Sequence, residues 1–177
     1  IADEACPLLC YMINRMINDS EFPDALKVAK VIPIHKKGSK TDPENYRQIS
    51  VLPIVSKVFE KVIFMQLDDF FESNNLYDDL QFGFRSGRGC HDAICQVMFN
   101  VSKEVDKGNG IVLLSLDISK AFDSLKHNIL LRKLEFMGIR GASNDLIKSY
   151  LSHRCQFVQI NSAKSCSKQI NEGIAQG

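Results

Sequence analysis

The sequence predicts an α+β fold whose sheet is largely antiparallel. Apolar residues recur at helical spacing in several segments, which predicts helices at residues 6–18, 56–73, 90–105, 125–137 and 142–151. Extended segments bounded by turn residues predict strands at residues 28–34, 45–53, 111–114, 155–160 and 168–171. In the second half of the chain, one strand is followed by two helices and then by two strands, an order that indicates helices layered on a mostly antiparallel sheet.

The composition of the chain fits a packed domain and gives no general argument for a polyanion partner. The 177 residues are 45% hydrophobic, enough to bury the core of one domain or of parts of two, and the formal net charge is only +1. No apolar run approaches the length of a membrane span, so no membrane partner is expected. The cysteines form no Cys-x-x-Cys pair, which favours free thiols over a zinc site or a disulfide.

Basic residues are concentrated in one short stretch near the N-terminus. Its members are Lys27, Lys30, His35, Lys36, Lys37 and Lys40. Such a cluster indicates either a solvated surface or a track for phosphate groups, and the cluster alone does not decide between them.

The most informative stretch is the apolar run at residues 111–114, which leads to Asp117. The run is too uniformly apolar to face water on either side, so it predicts a strand buried on both faces. Asp117 would then lie at the exit of the strand, rigid and partly desolvated, where a carboxylate suits Mg²⁺. The alternative for Asp117 is a strand-end carboxylate that caps the next helix.

Two loops rich in glycine and basic residues follow predicted elements. Residues 36–39 form a basic turn at the tip of a strand, and residues 81–89 precede a helix. The second loop lacks the terminal Gly-Lys-Ser/Thr of a Walker loop, which argues against nucleoside-triphosphate hydrolysis of that type.

Taken in order, five stretches resemble the motifs of reverse transcriptases of the non-LTR retrotransposon type, over essentially the whole chain. They are residues 22–38, 45–50, 81–85, 117–123 and 173–177. Gln48 and Ala175 depart from the family pattern, in which proline is commoner, but neither change removes a reactive group. The resemblance implies a right-hand polymerase architecture, with the fingers over residues 1–108 and the first half of the palm over residues 109–177.

The resemblance also implies catalytic roles around the apolar run. Asp117 resembles the first metal-binding aspartate, and the Ile118 carbonyl resembles a backbone ligand to the nucleotide-bearing Mg²⁺, with Mn²⁺ as an alternative metal. Phe122 resembles the steric gate that excludes a ribose 2′-OH. Asp123 either contributes to the metal environment or caps the following helix, and both alternatives stay open.

Further residues resemble those that bind the incoming nucleotide and the nucleic acid. Arg47 and a lysine of the basic turn, either Lys36 or Lys37, are implied to approach the triphosphate, while Gln176 is implied to lie against the nucleotide and template. The residues implied for the fingers, the template and the primer are Gly83, Arg85, Gly173 and Gly177.

The reaction that the resemblance implies is extension of a DNA primer with dNTPs on an RNA template. A longer parent is expected, with the rest of the palm and the thumb downstream, an endonuclease as a candidate upstream, and an intracellular location. The isolated chain is expected to be inactive, because the aromatic-x-Asp-Asp turn of the family is missing. The alternatives are a degenerate retroelement remnant that at most binds nucleic acid, and an unrelated Mg²⁺-dependent phosphotransferase with a second carboxylate cluster.

Overall fold

A computed structural model describes residues 2–175 and confirms the α+β class. The helices are α1 (Ala2–Asp19), α2 (Ile54–Ser73), α3 (Cys90–Val105), α4 (His127–Phe136) and α5 (Ala142–Leu151). The strands are β1 (Val28–His35), β2 (Tyr46–Val51), β3 (Arg154–Ile160), β4 (Ala163–Lys164) and β5 (Lys168–Ile170). Within the described residues, no helix is both long and apolar enough to cross a membrane.

The strands form one mixed sheet in the order β2-β1-β3-β4, with β5 also paired to β3. Only β1 and β3 run parallel, and the other pairs are antiparallel, so the predicted preference for antiparallel pairing holds. The register places Ile34 opposite Arg47, and it places Val31 opposite both Ser50 and Val158. The central strand β1 therefore joins segments that are far apart in the sequence.

The chain divides into two compact units. Over its described part, unit 1 consists of residues 2–61 and 119–175, and it holds the whole sheet. Unit 2 consists of residues 62–118, which include the second part of α2 and all of α3.

Unit 1 has an aromatic centre formed by Phe22, Phe59 and Tyr150. The Phe22 ring is fully buried and lies 4.8 Å from the Phe59 ring and 5.1 Å from the Tyr150 ring, measured between centroids. The hydroxyl group of Tyr150 donates to Glu60 Oε1 at 2.6 Å, so its polar end is satisfied while its ring is packed. The helix predicted from residue 56 begins two residues earlier, at Ile54, and the buried Ser56 hydroxyl donates to Leu26 O before β1.

Unit 2 is held mainly by polar contacts between neighbouring segments. Arg85 forms a bidentate pair with Glu72, at 2.8 Å and 3.0 Å, and its guanidinium lies 5.2 Å from the centre of the Tyr77 ring. The Tyr77 hydroxyl donates to Asp68, and its ring packs against Phe71 with the centroids 5.3 Å apart. Helical spacing predicts that Ile94, Val97, Met98 and Val101 of α3 face inward. Because Ile94, Val97 and Met98 are all exposed, this prediction is wrong.

The predicted buried strand at residues 111–114 is also wrong. These residues have no regular secondary structure, and their side chains are 40–94% exposed. A strand buried on both faces needs neighbours along its edges and layers above and below it. Among the described residues no strand pairs with this run. The burial that its apolar composition indicates is therefore not found there.

Candidate active site

The β1–β2 hairpin presents the predicted nucleotide-binding cations on unit 1. Backbone pairing continues one residue beyond β1, because Lys36 N donates to Asn45 O at 2.8 Å. Side chains alternate between the two faces of a hairpin, so Lys36 lies on the same face as Ile34 and its partner Arg47. Lys37 begins the turn and falls outside this alternation. All of these cations are exposed.

The loop between β1 and β2 has a defined shape, fixed by side chains of the second strand. The Asn45 side chain donates to Ser39 O at 3.0 Å, and the Tyr46 hydroxyl donates to Lys40 O at 2.8 Å. At Gly38, φ is +79°, and a Cβ atom there would lie 2.7 Å from the Asn45 amide, so only glycine fits. Sequence reasoning assigned no role to Asn45 or Tyr46, although both stand beside Arg47 in a recognised motif.

Asp117 and Ile118 lie at the end of unit 2, in the exposed segment without regular structure. The expected partial desolvation of Asp117 is therefore wrong. Among residues 2–175, no three histidine, cysteine or carboxylate side chains come together as a metal site. Mg²⁺ requires a near-octahedral set of oxygen ligands, and one carboxylate with one carbonyl does not complete it. The metal-binding roles of Asp117 and Ile118 stay predictions, and no chemical step through a metal follows from the described residues alone.

Phe122 and Asp123 lie in a tight turn of unit 1 that precedes α4. Asp123 N donates to Lys120 O at 2.9 Å, and Lys120 has a left-handed φ of +54°. The N-cap of α4 is Lys126, so the helix-capping alternative for Asp123 is wrong. Its contribution to a metal environment stays a prediction.

The same turn is packed against the segment that leads to the predicted glutamine. Ile174 N donates to Phe122 O at 2.9 Å, and Gly173 N donates to Leu125 O at 2.7 Å. The predictions for Gln176 and Gly177 concern positions outside the described residues.

The predicted template-binding loop of unit 2 is organised around Arg85, whose side chain is 12% exposed. Besides its pair with Glu72, Arg85 donates to Asp78 O at 3.1 Å. The hydrogen bonds from Arg85 lower the pKa of Glu72, and burial together with the hydrogen bond to Asp68 raises the pKa of Tyr77 to about 12. Around Gly83, in contrast, there is open space, so packing alone does not require glycine there. The template contact of Arg85 stays a prediction.

Comparison with known proteins identifies relatives along the whole chain. Residues 34–177 match the family model described as reverse transcriptase (RNA-dependent DNA polymerase). The RNA-directed DNA polymerase from the mobile element jockey and the probable RNA-directed DNA polymerase from the transposon X-element, both of Drosophila melanogaster, are each 31% identical to this chain. The probable RNA-directed DNA polymerase from transposon BS of the same organism is 28% identical.

The alignments with these relatives cover 96–100% of this chain but only 19% of each relative. The chain therefore spans about a fifth of the length of the curated relatives it matches. The predicted resemblance to polymerases of non-LTR retrotransposons is confirmed, and the chain belongs to the reverse transcriptase (RNA-dependent DNA polymerase) family.

Proposed function

We propose that this chain is part of an RNA-directed DNA polymerase that extends a primer with dNTPs on an RNA template. The observation that carries the proposal is the family match over residues 34–177, which includes the motifs at Asp117, Phe122 and Gln176. In this proposal residues 1–108 form fingers and residues 109–177 begin the palm of a right-hand polymerase. The rest of the palm and a thumb belong to the longer parent, with an endonuclease as a candidate upstream domain.

The β1–β2 hairpin binds the triphosphate of the incoming nucleotide. Arg47 offers a planar fork to two phosphate oxygens, and a lysine offers a compact point charge. The register favours Lys36 for this role over Lys37, because Lys36 and Arg47 lie on one face of the hairpin. The hydrogen bonds of Asn45 and Tyr46 hold the loop in shape before a nucleotide arrives, which reduces the entropy lost on binding.

The proposed metal is Mg²⁺, or Mn²⁺ in its place, held by the Asp117 carboxylate and the Ile118 carbonyl together with ligands from the parent. When bound, such ions neutralise charge on the attacking and leaving oxygens of a nucleotidyl transfer. Phe122 restricts the space beside the sugar of the nucleotide and so favours deoxyribose. Because Asp117 and Ile118 need further metal ligands from the parent, the isolated chain should not extend a primer. It should bind primer–template weakly and in a salt-dependent way, since the basic loop is present but the thumb belongs to the parent.

The proposal is tested by RNA-templated primer extension with the full-length parent polypeptide. Asp117→Asn should abolish extension, because it removes the negative charge that holds the metal. Lys36→Met should raise the KM for dNTPs about tenfold or more, the expected effect of losing one charge-assisted hydrogen bond.

Lys37→Met is the matched control and should change KM by less than about threefold, an effect smaller than that of one such bond. A parent that never extends a primer, or an Asp117→Asn variant as active as the wild type, would refute the proposed function. Equal effects of the two lysine substitutions would refute only the choice of Lys36.

A further inference from the structure

His127 stands at the first position of α4, and its side chain reaches a segment far along the chain. We propose that His127 is a positioning residue for the nucleotide site, which fixes a strap formed by residues 172–174 against the Phe122–Asp123 turn. The inference rests on the proposed function, since the nucleotide site is assigned there.

The contact itself is short and partly shielded from water. His127 Nε2 lies 2.6 Å from Gly173 O, across 46 positions of the sequence. A backbone carbonyl can only accept a hydrogen bond, so Nε2 must carry the hydrogen and donate it. The imidazole therefore fixes the orientation of the peptide group that follows Gly173.

Backbone contacts place the same strap beside the turn. Gly173 N donates to Leu125 O at 2.7 Å, and Ile174 N donates to Phe122 O at 2.9 Å. One residue earlier, Glu172 forms an isolated antiparallel bridge with the residue that precedes His127. The peptide groups on both sides of Gly173 are thus held, and among these bonds only the one from the imidazole comes from a side chain.

The approach of the strap is so close that it depends on glycine. Gly173 is buried with φ of +80°, and a Cβ atom there would lie 2.9 Å from Asp123 Cα, Asp123 O and Phe122 O. Backbone meets backbone without an intervening side chain. Because no flexible side chain lies between the two backbones, a shift of the strap towards the turn would displace the backbone of Phe122 and Asp123 directly.

The position of the strap matters because the strap contacts one proposed nucleotide-binding residue and precedes another in the sequence. Phe122 is the proposed gate at the sugar, and Gln176 follows the strap in the sequence. Without the imidazole, the Gly173–Ile174 peptide group is held only by the bond from Ile174 N to Phe122 O, so the orientation of its carbonyl is less constrained. Glycine tolerates such a change of orientation more easily than any other residue. Loss of the bond from His127 should distort the nucleotide site. The distortion should change the KM for nucleotides and the discrimination between dNTPs and rNTPs more than it changes kcat.

The test compares His127→Leu, which removes the donor, with His127→Gln, whose amide N–H can replace it. Both are made in the full-length parent and measured by RNA-templated primer extension with dNTPs and rNTPs. His127→Leu should raise the KM for dNTPs about tenfold, with kcat changed less than about threefold, and should reduce discrimination against rNTPs. His127→Gln should stay within about threefold of the wild type, since it retains a donor.

Two further variants guard against a purely structural explanation. Gly173→Ala should reproduce the His127→Leu signature, because its methyl group pushes the strap away from the turn. His91→Leu, on the exposed side of α3, should behave as the wild type. Hydrogen exchange of the peptide that covers residues 169–175 should accelerate in His127→Leu and not in His127→Gln.

The inference is overturned if His127→Leu and His127→Gln are indistinguishable in KM, sugar discrimination and exchange. It is also overturned if His127→Leu lowers kcat and leaves KM and discrimination unchanged. An inactive wild type would refute the proposed function instead, while the exchange measurement would still decide whether His127 holds the strap.

Discussion

Unit 1 and unit 2 contain similar kinds of apolar sequence but bury it very differently. Every hydrophobic residue that is buried within residues 2–175 belongs to unit 1, from Ile13 in α1 to Leu151 in α5. In unit 2, α3 has no buried residue, and the run at residues 111–118 is exposed throughout. The two units differ in what is available to cover their apolar side chains. Unit 1 brings together strands and helices from two separate stretches of the chain, whereas unit 2 is one continuous segment.

The comparison shows that amphipathic spacing predicts which face of a helix is apolar but not whether that face is covered. Helix α2 and helix α3 both have an apolar stripe, yet only the first part of α2 reaches the aromatic centre of unit 1 at Phe59. Unit 2 relies instead on polar contacts such as the Arg85–Glu72 pair. The two units should therefore respond to different perturbations.

The largest effect is expected from truncating the centre of unit 1. Phe22→Ala removes a fully buried ring that touches two other rings and should lower the free energy of unfolding by about 3–5 kcal/mol. Phe99→Ala is the matched control on α3, where the ring is 65% exposed, and should cost less than about 1 kcal/mol. Denaturant unfolding followed by circular dichroism measures both, and equal costs would contradict the comparison.

A smaller effect that depends on pH is expected from the ion pair of unit 2. The pKa of Glu72 is lower in the folded chain than in the unfolded one, because Arg85 hydrogen-bonds to its carboxylate. The stabilisation is therefore complete above the ordinary pKa of glutamate, about 4.3, and is lost as the pH falls through the lowered folded value.

Arg85→Met should lower the stability of unit 2 at neutral pH. It should also weaken the pH dependence of that stability below about pH 5, where glutamate begins to bind protons. Glu72→Gln should flatten the same dependence. Site-resolved hydrogen exchange between neutral and acidic pH measures the response of unit 2 separately from that of unit 1. An unchanged acid response in both variants would show that the pair does not stabilise unit 2.

The smallest effect is expected in the exposed apolar run. Val112 is 94% exposed, so Val112→Ala should change the free energy of unfolding by less than about 0.5 kcal/mol. Val31→Ala makes the same chemical change at a position in β1 that is 1% exposed and should cost about 2 kcal/mol, for two methyl groups removed from a packed core. A cost for Val112→Ala that approaches the cost for Val31→Ala would mean that the run is buried in solution.

Local patterns in the sequence predicted a large part of this fold. Helical spacing located α2, α3, α4 and α5 to within two residues at either end, and it located α1 apart from its first turn. The extended segments on either side of the basic turn at residues 36–39 located β1 and β2, although their pairing was not predicted. These features depend on contacts within a few residues, which periodicity and turn chemistry report directly. The ordered motifs likewise identified the family, which the comparisons confirm.

What the sequence determined by itself is the set of reactive groups, namely the cations Lys36, Lys37 and Arg47, the aspartates and the ring of Phe122, together with the family to which the chain belongs. Only the tertiary structure decided how these groups are arranged: Lys36 and Arg47 share one face of the hairpin, and His127 lies against Gly173 across 46 positions. It also left residues 111–114 exposed where composition indicated burial. The physical reason is that burial, register and long-range hydrogen bonds are relations between distant segments, which no local pattern of residues contains.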